Sequence, residues 1–354
     1  MTTESLPTAA EARHLTKVLR HCGLLGPARV GGVTVANAFV KQRSHTRRLR
    51  LSYEGDAGNA PEFLILKMGH LDSAGRSAYT NQREVAFYRD IAPSLPVGVV
   101  PRCLEVVEST DTTAWHLLLE DLSDSHFFGT EHPLPPSRRQ CESIMVAWAK
   151  FHAAWWDDPH LGAVVGSWPA ADWEQYLHTF VREFAGFNNR YEQVMSPERR
   201  ALYERLLDQG PRLLTRLHAR RNLTLVHGDA HWWNCFLPRD GGGDVRLIDW
   251  EGWSINTATT DIVYMMAMLW YPDLRRQLER PLLDLYHATL IAQGVRGYDR
   301  QALDDDYRLS VLWLILRPVG QAAFNIPPRV WWPNLERIFL ALDDLNCRDL
   351  VAGR

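Results

Sequence analysis

The run HGDAHWWN places two histidines, an aspartate and an asparagine within residues 227–234, and Asp249 follows fifteen positions after Asn234 in LIDW. Brought together, these side chains suit two chemistries. His227, Asp229 and His231, spaced i, i+2, i+4, offer ligands for a zinc- or manganese-dependent hydrolase that needs no nucleotide. Asp229, Asn234 and Asp249 instead offer hard oxygen atoms, which suit Mg²⁺ and the phosphates of a nucleotide, and hence phosphoryl transfer. In a third reading the polar groups only tie down an irregular loop.

The elements that must position them read as a hairpin. CFLP and VRLI are short strand candidates separated by RDGGGD, whose glycines supply the positive φ angles of a tight turn. Folding about Gly241–Gly242 sets position 238 against 245 and 236 against 247. The same register sets Asn234 opposite Asp249, about 4.5–5.5 Å apart at Cα. A slip of one residue would separate them.

Around this hairpin the chain changes character once. A helical stretch near 8–25 is followed by strand-like segments, GVTVANAFVKQR, RRLRLSYE and PEFLILKMG, then by a helix near 77–91 and two further strands, PRCLEVVES and WHLLLEDLS. Beyond about residue 123, helical patterns recur at 173–185, 198–219, 261–273, 276–293, 303–316 and 334–345. SRRQCESIMVAWAKFHAAWW puts Ile144, Trp148, Phe151 and Trp155 on one helical face. The expected class is α+β, with a β-rich N-terminal lobe over 1–122 and a larger helical lobe over 123–354.

Composition narrows the function. A formal net charge of −3 argues against nucleic-acid or membrane-surface binding, which needs a basic face. The N-terminus is polar rather than signal-like, and the longest apolar run, VLWLIL, is too short to span a bilayer. Five scattered cysteines without a CxxC pair fit reduced thiols and a cytoplasmic location.

HGDAHWWN has the Asp-to-Asn spacing of a kinase catalytic loop, and IDW stands where protein kinases carry DFG. The glycine after His227 and the Asp-Trp pair resemble the aminoglycoside phosphotransferase and choline kinase superfamily, and most of all its ecdysteroid kinase-like branch. The resemblance runs from roughly residue 30 to 345. It implies a bilobal protein-kinase-like fold, a small β-rich lobe with one key helix and a larger helical lobe. It also implies ATP and Mg²⁺ as cofactors, and a small hydroxylated acceptor.

Further residues fit. Lys67 sits in the apolar strand FLILKMG, where an unpartnered ammonium is costly. Glu84, with Tyr88 and Ile91 at i+4 and i+7, lies on the apolar face of the following helix and is its expected partner. LLLEDLS resembles the family's hinge, which would set backbone groups from Glu120 to Leu122 against adenine. The first hairpin departs from many nucleotide kinases because it lacks a glycine-rich loop. Ser44 and Thr46 at its turn are the candidates for touching phosphate, amid a basic stripe that includes Arg48 and Arg50.

The implied roles are Asp229 as the base toward the acceptor hydroxyl, Asn234 and Asp249 as metal ligands, and Lys67 held by Glu84 on the phosphates. Asp261 would brace the catalytic loop, while His152 reads as a packed, hydrogen-bonded core residue. Thirteen of the fourteen tryptophans lie after residue 123, with Trp232, Trp233, Trp250 and Trp253 around the motif. Most of these tryptophans read as core, yet aromatic walls near the motif favour a neutral sugar or natural product over a polycationic antibiotic. The hydrolase remains the alternative, as does a kinase-like module that binds without turnover.

Overall fold

Leu49, Leu51, Leu64, Leu66 and Leu118 alternate along three neighbouring strands and are almost fully buried. That period of two makes one face of a sheet apolar, and a helix covers it. The computed structural model describes residues 6–40, 44–70, 82–109 and 114–352. In chain order the first elements are helix α1 (Ala12–His21), strands β1 (Arg29–Val40), β2 (Ser44–Glu54) and β3 (Phe63–Gly69), and helix α2 (Gln82–Ala86). Strands β4 (Cys103–Val107), β5 (His116–Glu120) and β6 (His126–Phe128) follow.

Next come helices α3 (Arg138–Ala154), α4 (Leu161–Val165), α5 (Pro169–Arg190), α6 (Pro197–Leu213) and α7 (Thr215–His218). The motif region supplies strands β7 (Thr224–Val226), β8 (Cys235–Pro238), β9 (Arg246–Leu247) and β10 (Ser254–Asn256). Helices α8 (Thr259–Met266), α9 (Pro272–Ala292), α10 (Arg300–Leu314), α11 (Leu316–Ala323) and α12 (Pro328–Asp344) complete the chain.

The chain divides into two compact units. The first comprises residues 1–128 and 236–251. Its antiparallel sheet has the order β1-β2-β3-β5-β4, and a smaller sheet has the order β6-β8-β9. Leu15, Val18 and Leu19 of α1 pack on the Leu64 and Leu66 face of the larger sheet. The second unit, residues 129–235 and 252–354, is helical apart from the β7–β10 pair. Its α3 begins in a reciprocal cap, Ser137 Oγ accepting from Gln140 N–H while Gln140 Oε1 accepts from Ser137 N–H. Ile144, Trp148, Phe151 and Trp155 form the buried stripe their spacing predicts.

Several boundaries move. The helix expected near 8–25 is Ala12–His21, preceded by a 3₁₀ turn at Thr8–Ala10. The helix expected over 261–273 stops at Met266, and α9 starts at Pro272, whose missing N–H costs nothing in a first turn. Of the helix near 77–91, residues 77–81 lie outside the described residues. The rest runs as α2 and then widens into a π turn at Phe87–Ile91. Among the described residues no helix is long and apolar enough to cross a membrane.

Candidate active site

In the first unit the expected lysine–glutamate pair is formed. Lys67 on β3 points away from the Leu64 and Leu66 face, and its Nζ lies 2.7 Å from Glu84 Oε2. Glu84 is 2% exposed and Lys67 8%, so both charges are withdrawn from water and depend on each other. Asp249 Oδ1 lies 3.0 Å from the same Nζ. Burial opposes the Lys67 charge, but the carboxylates of Glu84 and Asp249 outweigh it and raise its pKa, so the ammonium persists.

Asp249 has a left-handed backbone, φ 69°, which few non-glycine residues adopt. Its neighbour Trp250 is fully buried and stacks on Phe87, ring centroids 3.9 Å apart, at the end of the Glu84 helix. The tryptophan of IDW thus ties the Asp249 turn to the element that carries Glu84. Ligand oxygens of Glu84, Asp249 and Glu251 lie within 4.8 Å of one another. An all-oxygen set with no thiol or imidazole is the chemistry Mg²⁺ prefers. Glu251 had escaped the sequence reading, although it stands only two positions beyond Asp249.

Thr46 is the cross-strand partner of Lys67 and shares its face, while Ser44 pairs with Gly69 and is buried. Ser44 and Thr46 both lie within β2 rather than at the turn expected there, and residues 41–43 lie outside the described residues. Within the basic stripe, Arg48 is bonded to Asp121 at 2.6 Å and Arg50 to Glu62 at 2.9 Å, so both are neutralised locally. Glu120 closes β5, accepting from Arg102 N–H. The Leu122 carbonyl accepts from His126 N–H in the following turn.

The HGD loop belongs to the second unit, where Asp261 organises it. Asp261 is buried at the start of α8 and accepts from His227 N–H at 2.6 Å and Gly228 N–H at 2.9 Å. His152, also buried, bonds both Asp261 and the Tyr286 hydroxyl. Asp261 therefore braces the loop, as the resemblance implied, and His152 is the packed, hydrogen-bonded core residue expected, here bonded to that brace. Gly228 has φ 78°, and a Cβ there would fall 2.4 Å from Gly252 O. No other residue fits that approach.

Asp229 is half-exposed. Its carboxylate meets His231 Nε2 at 3.4 Å and Arg317 at 3.3 Å. Burial alone would raise its pKa, but His231, Tyr264 and Arg317 together hold it well below the usual carboxylate range. Asp229 is thus ionised at neutral pH. Asn234 donates Nδ2–H to the Asp229 carbonyl, which fixes its amide.

Arg317, Tyr264 and Gly228 also line a cavity of about 340 Å³ within this unit, together with Trp173, Tyr176 and Trp313. The expectation that most tryptophans around the motif are core holds. Trp232, Trp250 and Trp253 are buried core residues, and a different set of aromatics forms the wall. Arg317, Tyr264 and Trp313 lie on helices far from the motif in sequence, and no local pattern singles them out.

The hydrolase alternative does not survive. His227 is fully buried, its Nδ1 accepts from Asp229 N–H, and its ring packs edge-on to Trp148. Among the described residues, the groups placed to share an ion are Glu84/Asp249/Glu251 and His14/Glu105/His116. His227, Asp229 and His231 are not such a group.

The family model for ecdysteroid kinase-like proteins matches residues 43–157 and 162–295, well over half of the chain. The chain belongs to the ecdysteroid kinase-like family. This is a family of small-molecule kinases. Among solved structures, a candidate aminoglycoside phosphotransferase of Ralstonia eutropha is similar at TM-score 0.59 and 13% identity, over 97% of this chain and 99% of that one. An ethanolamine kinase of Plasmodium vivax is similar at TM-score 0.50 and 12% identity, over 95% and 89%. At such identities the likeness concerns the fold, which is the protein-kinase-like fold of aminoglycoside phosphotransferases and related kinases. No curated protein matches the chain in sequence.

Proposed function

We propose that this ecdysteroid kinase-like protein is an ATP- and Mg²⁺-dependent O-phosphotransferase, moving the γ-phosphoryl group to a hydroxyl of a small neutral acceptor. The observation that carries the reading is Asp229, an ionised carboxylate whose partners Arg317 and Tyr264 line an aromatic cavity. In that setting Asp229 accepts or orients the proton of an acceptor hydroxyl. Lys67, fixed by Glu84, neutralises nucleotide phosphates, and Thr46 and Ser44 border the same strand. Asn234 and Asp249 would hold the metal, which would supply positive charge to offset that of the phosphates. The backbone of Glu120–Leu122 receives the adenine edge. Under this reading residues 1–122 bind nucleotide, and 123–354 carry catalysis and acceptor binding in a cytoplasmic enzyme.

The cavity's chemistry supports the acceptor class. Trp173, Tyr176 and Trp313 line it, and of the acids beside it Asp306 is already paired with Arg216 and Asp229 with Arg317, which leaves Asp172 as the further acid in the lining. A polycation would meet a poor match there, whereas a flat, sparingly hydroxylated natural product or sugar stacks well. Thermal melts of wild type and Asp249→Ala with Mg²⁺ alone and with MgATP test the nucleotide half. A melting temperature raised by MgATP in wild type only is expected. No MgATP shift, or an equal shift in Asp249→Ala, overturns the reading.

A further inference from the structure

The other face of the β-rich unit carries a second cluster. On β3 the alternation that turns Lys67 one way turns Leu64, Leu66 and Met68 the other, toward α1. On β5, His116 pairs with Met68 and Leu118 with Leu66, so both share that face. Glu105 on β4 is set opposite Leu118, just after a register irregularity at Cys103–Glu105. His14 comes from α1 itself.

These three side chains converge on one point. His14 Nε2 lies 2.7 Å and His116 Nε2 2.9 Å from the same atom, Glu105 Oε2. All three ligand atoms fall within 4.8 Å of one another. Two imidazoles and a carboxylate form a familiar zinc set that keeps a fourth position open, and the ligand–metal bonds are about 2.0–2.2 Å long. In a tetrahedron of that size the ligand atoms stand roughly 3.3 Å apart, so a slight spreading of the cluster would admit the ion. Access exists, because the His14 side chain is 30% exposed and that of Glu105 22%. The Cys103 thiol is engaged elsewhere, bonding the Glu105 carbonyl.

We propose that His14, Glu105 and His116 bind a divalent transition-metal ion of the zinc type, separate from the Mg²⁺ of phosphoryl transfer. The ion clips α1 to the sheet across 91 residues of chain. It binds the native arrangement and not the unfolded chain, so it stabilises the β-rich unit. The proposal does not depend on the phosphotransferase reading.

The experiment uses the full-length chain, stripped with chelator and held in excess Mg²⁺. Zn²⁺ is titrated by equilibrium dialysis with elemental analysis, alongside thermal melts, for wild type, His14→Ala, His116→Gln and Asp249→Ala. Wild type and Asp249→Ala should each take one zinc per chain and melt at higher temperature with it. His14→Ala, a change at a solvent-reachable position, should weaken binding roughly 100-fold and lose the shift. Its MgATP response should stay as in wild type, which shows that it folds. His116→Gln should also lose the ion. Equal zinc binding by wild type and His14→Ala, or loss of zinc in Asp249→Ala alone, would place any ion elsewhere and overturn the proposal. So would no zinc retained by wild type at micromolar concentrations.

Discussion

Two charged clusters, one in each unit, are built to opposite specifications. Lys67, Glu84 and Asp249 meet at 2.7–3.0 Å, with Glu84 and Lys67 nearly sealed from solvent. Asp229 meets His231 and Arg317 at 3.3–3.4 Å, and its side chain is 41% exposed. The first arrangement is complete without a ligand, as suits the proposed role of holding phosphates in one place. The second leaves a carboxylate whose partners are loose enough to be exchanged for an acceptor hydroxyl. The contrast predicts that mutations in the first cluster damage both fold and activity, and mutations in the second damage activity alone.

The largest effect should come from the loose cluster. Asp229→Asn keeps the side chain's shape but removes the base, and kcat should fall by about 10³-fold. Because the carboxylate is half-exposed, the melting temperature should barely change and the MgATP-induced shift should persist. Near-wild-type turnover by Asp229→Asn would remove Asp229 from the chemistry and dissolve the contrast.

Lys67→Ala is the matching test in the tight cluster. It leaves the buried Glu84 carboxylate without its cation, and breaking such a pair costs about 3–5 kcal/mol. Denaturant unfolding should therefore show a clear loss of stability, with activity falling roughly 100-fold. A Lys67→Ala protein as stable as wild type would mean that the pair is not the locked unit its burial implies.

How far each cluster was legible follows from how local its signal is. Lys67 and Glu84 announce themselves because a charge in an apolar strand and another on an apolar helix face each demand a partner. The HGD and IDW runs are compact for a similar reason: Gly228 tolerates the backbone of Gly252, and Trp250 stacks on Phe87. Those requirements fall on adjacent positions and so leave a motif. The acceptor cavity leaves none. Its aromatic wall draws Trp173 and Tyr176 from α5, Tyr264 from α8 and Trp313 from α10, each of which reads as an ordinary amphipathic helix. Trp232 and Trp253 look equally suited by type, yet the fold buries them as core. The His14, Glu105 and His116 cluster is invisible in the same way, because sheet register rather than sequence spacing assembles it.

Arg317 is the residue that this illegibility hid, and its removal should produce the smallest effect of the three. Its guanidinium, in the first turn of α11, contacts both Asp229 and the Tyr264 hydroxyl and borders the cavity. Arg317→Gln should raise the acceptor KM about 3- to 10-fold, equivalent to roughly 1 kcal/mol, with kcat changed less. The pH dependence gives a second readout. Arg317 helps depress the Asp229 pKa, so without it that pKa rises toward the ordinary carboxylate value. The acid limb of kcat/KM should then move to higher pH, since the base loses its charge sooner as pH falls. Arg317→Lys should restore the limb but not the full acceptor affinity, because an ammonium supplies charge without the planar fork that reaches two partners. An unshifted limb in Arg317→Gln would show that His231 and Tyr264 suffice to hold Asp229 ionised, and that Arg317 serves the acceptor alone.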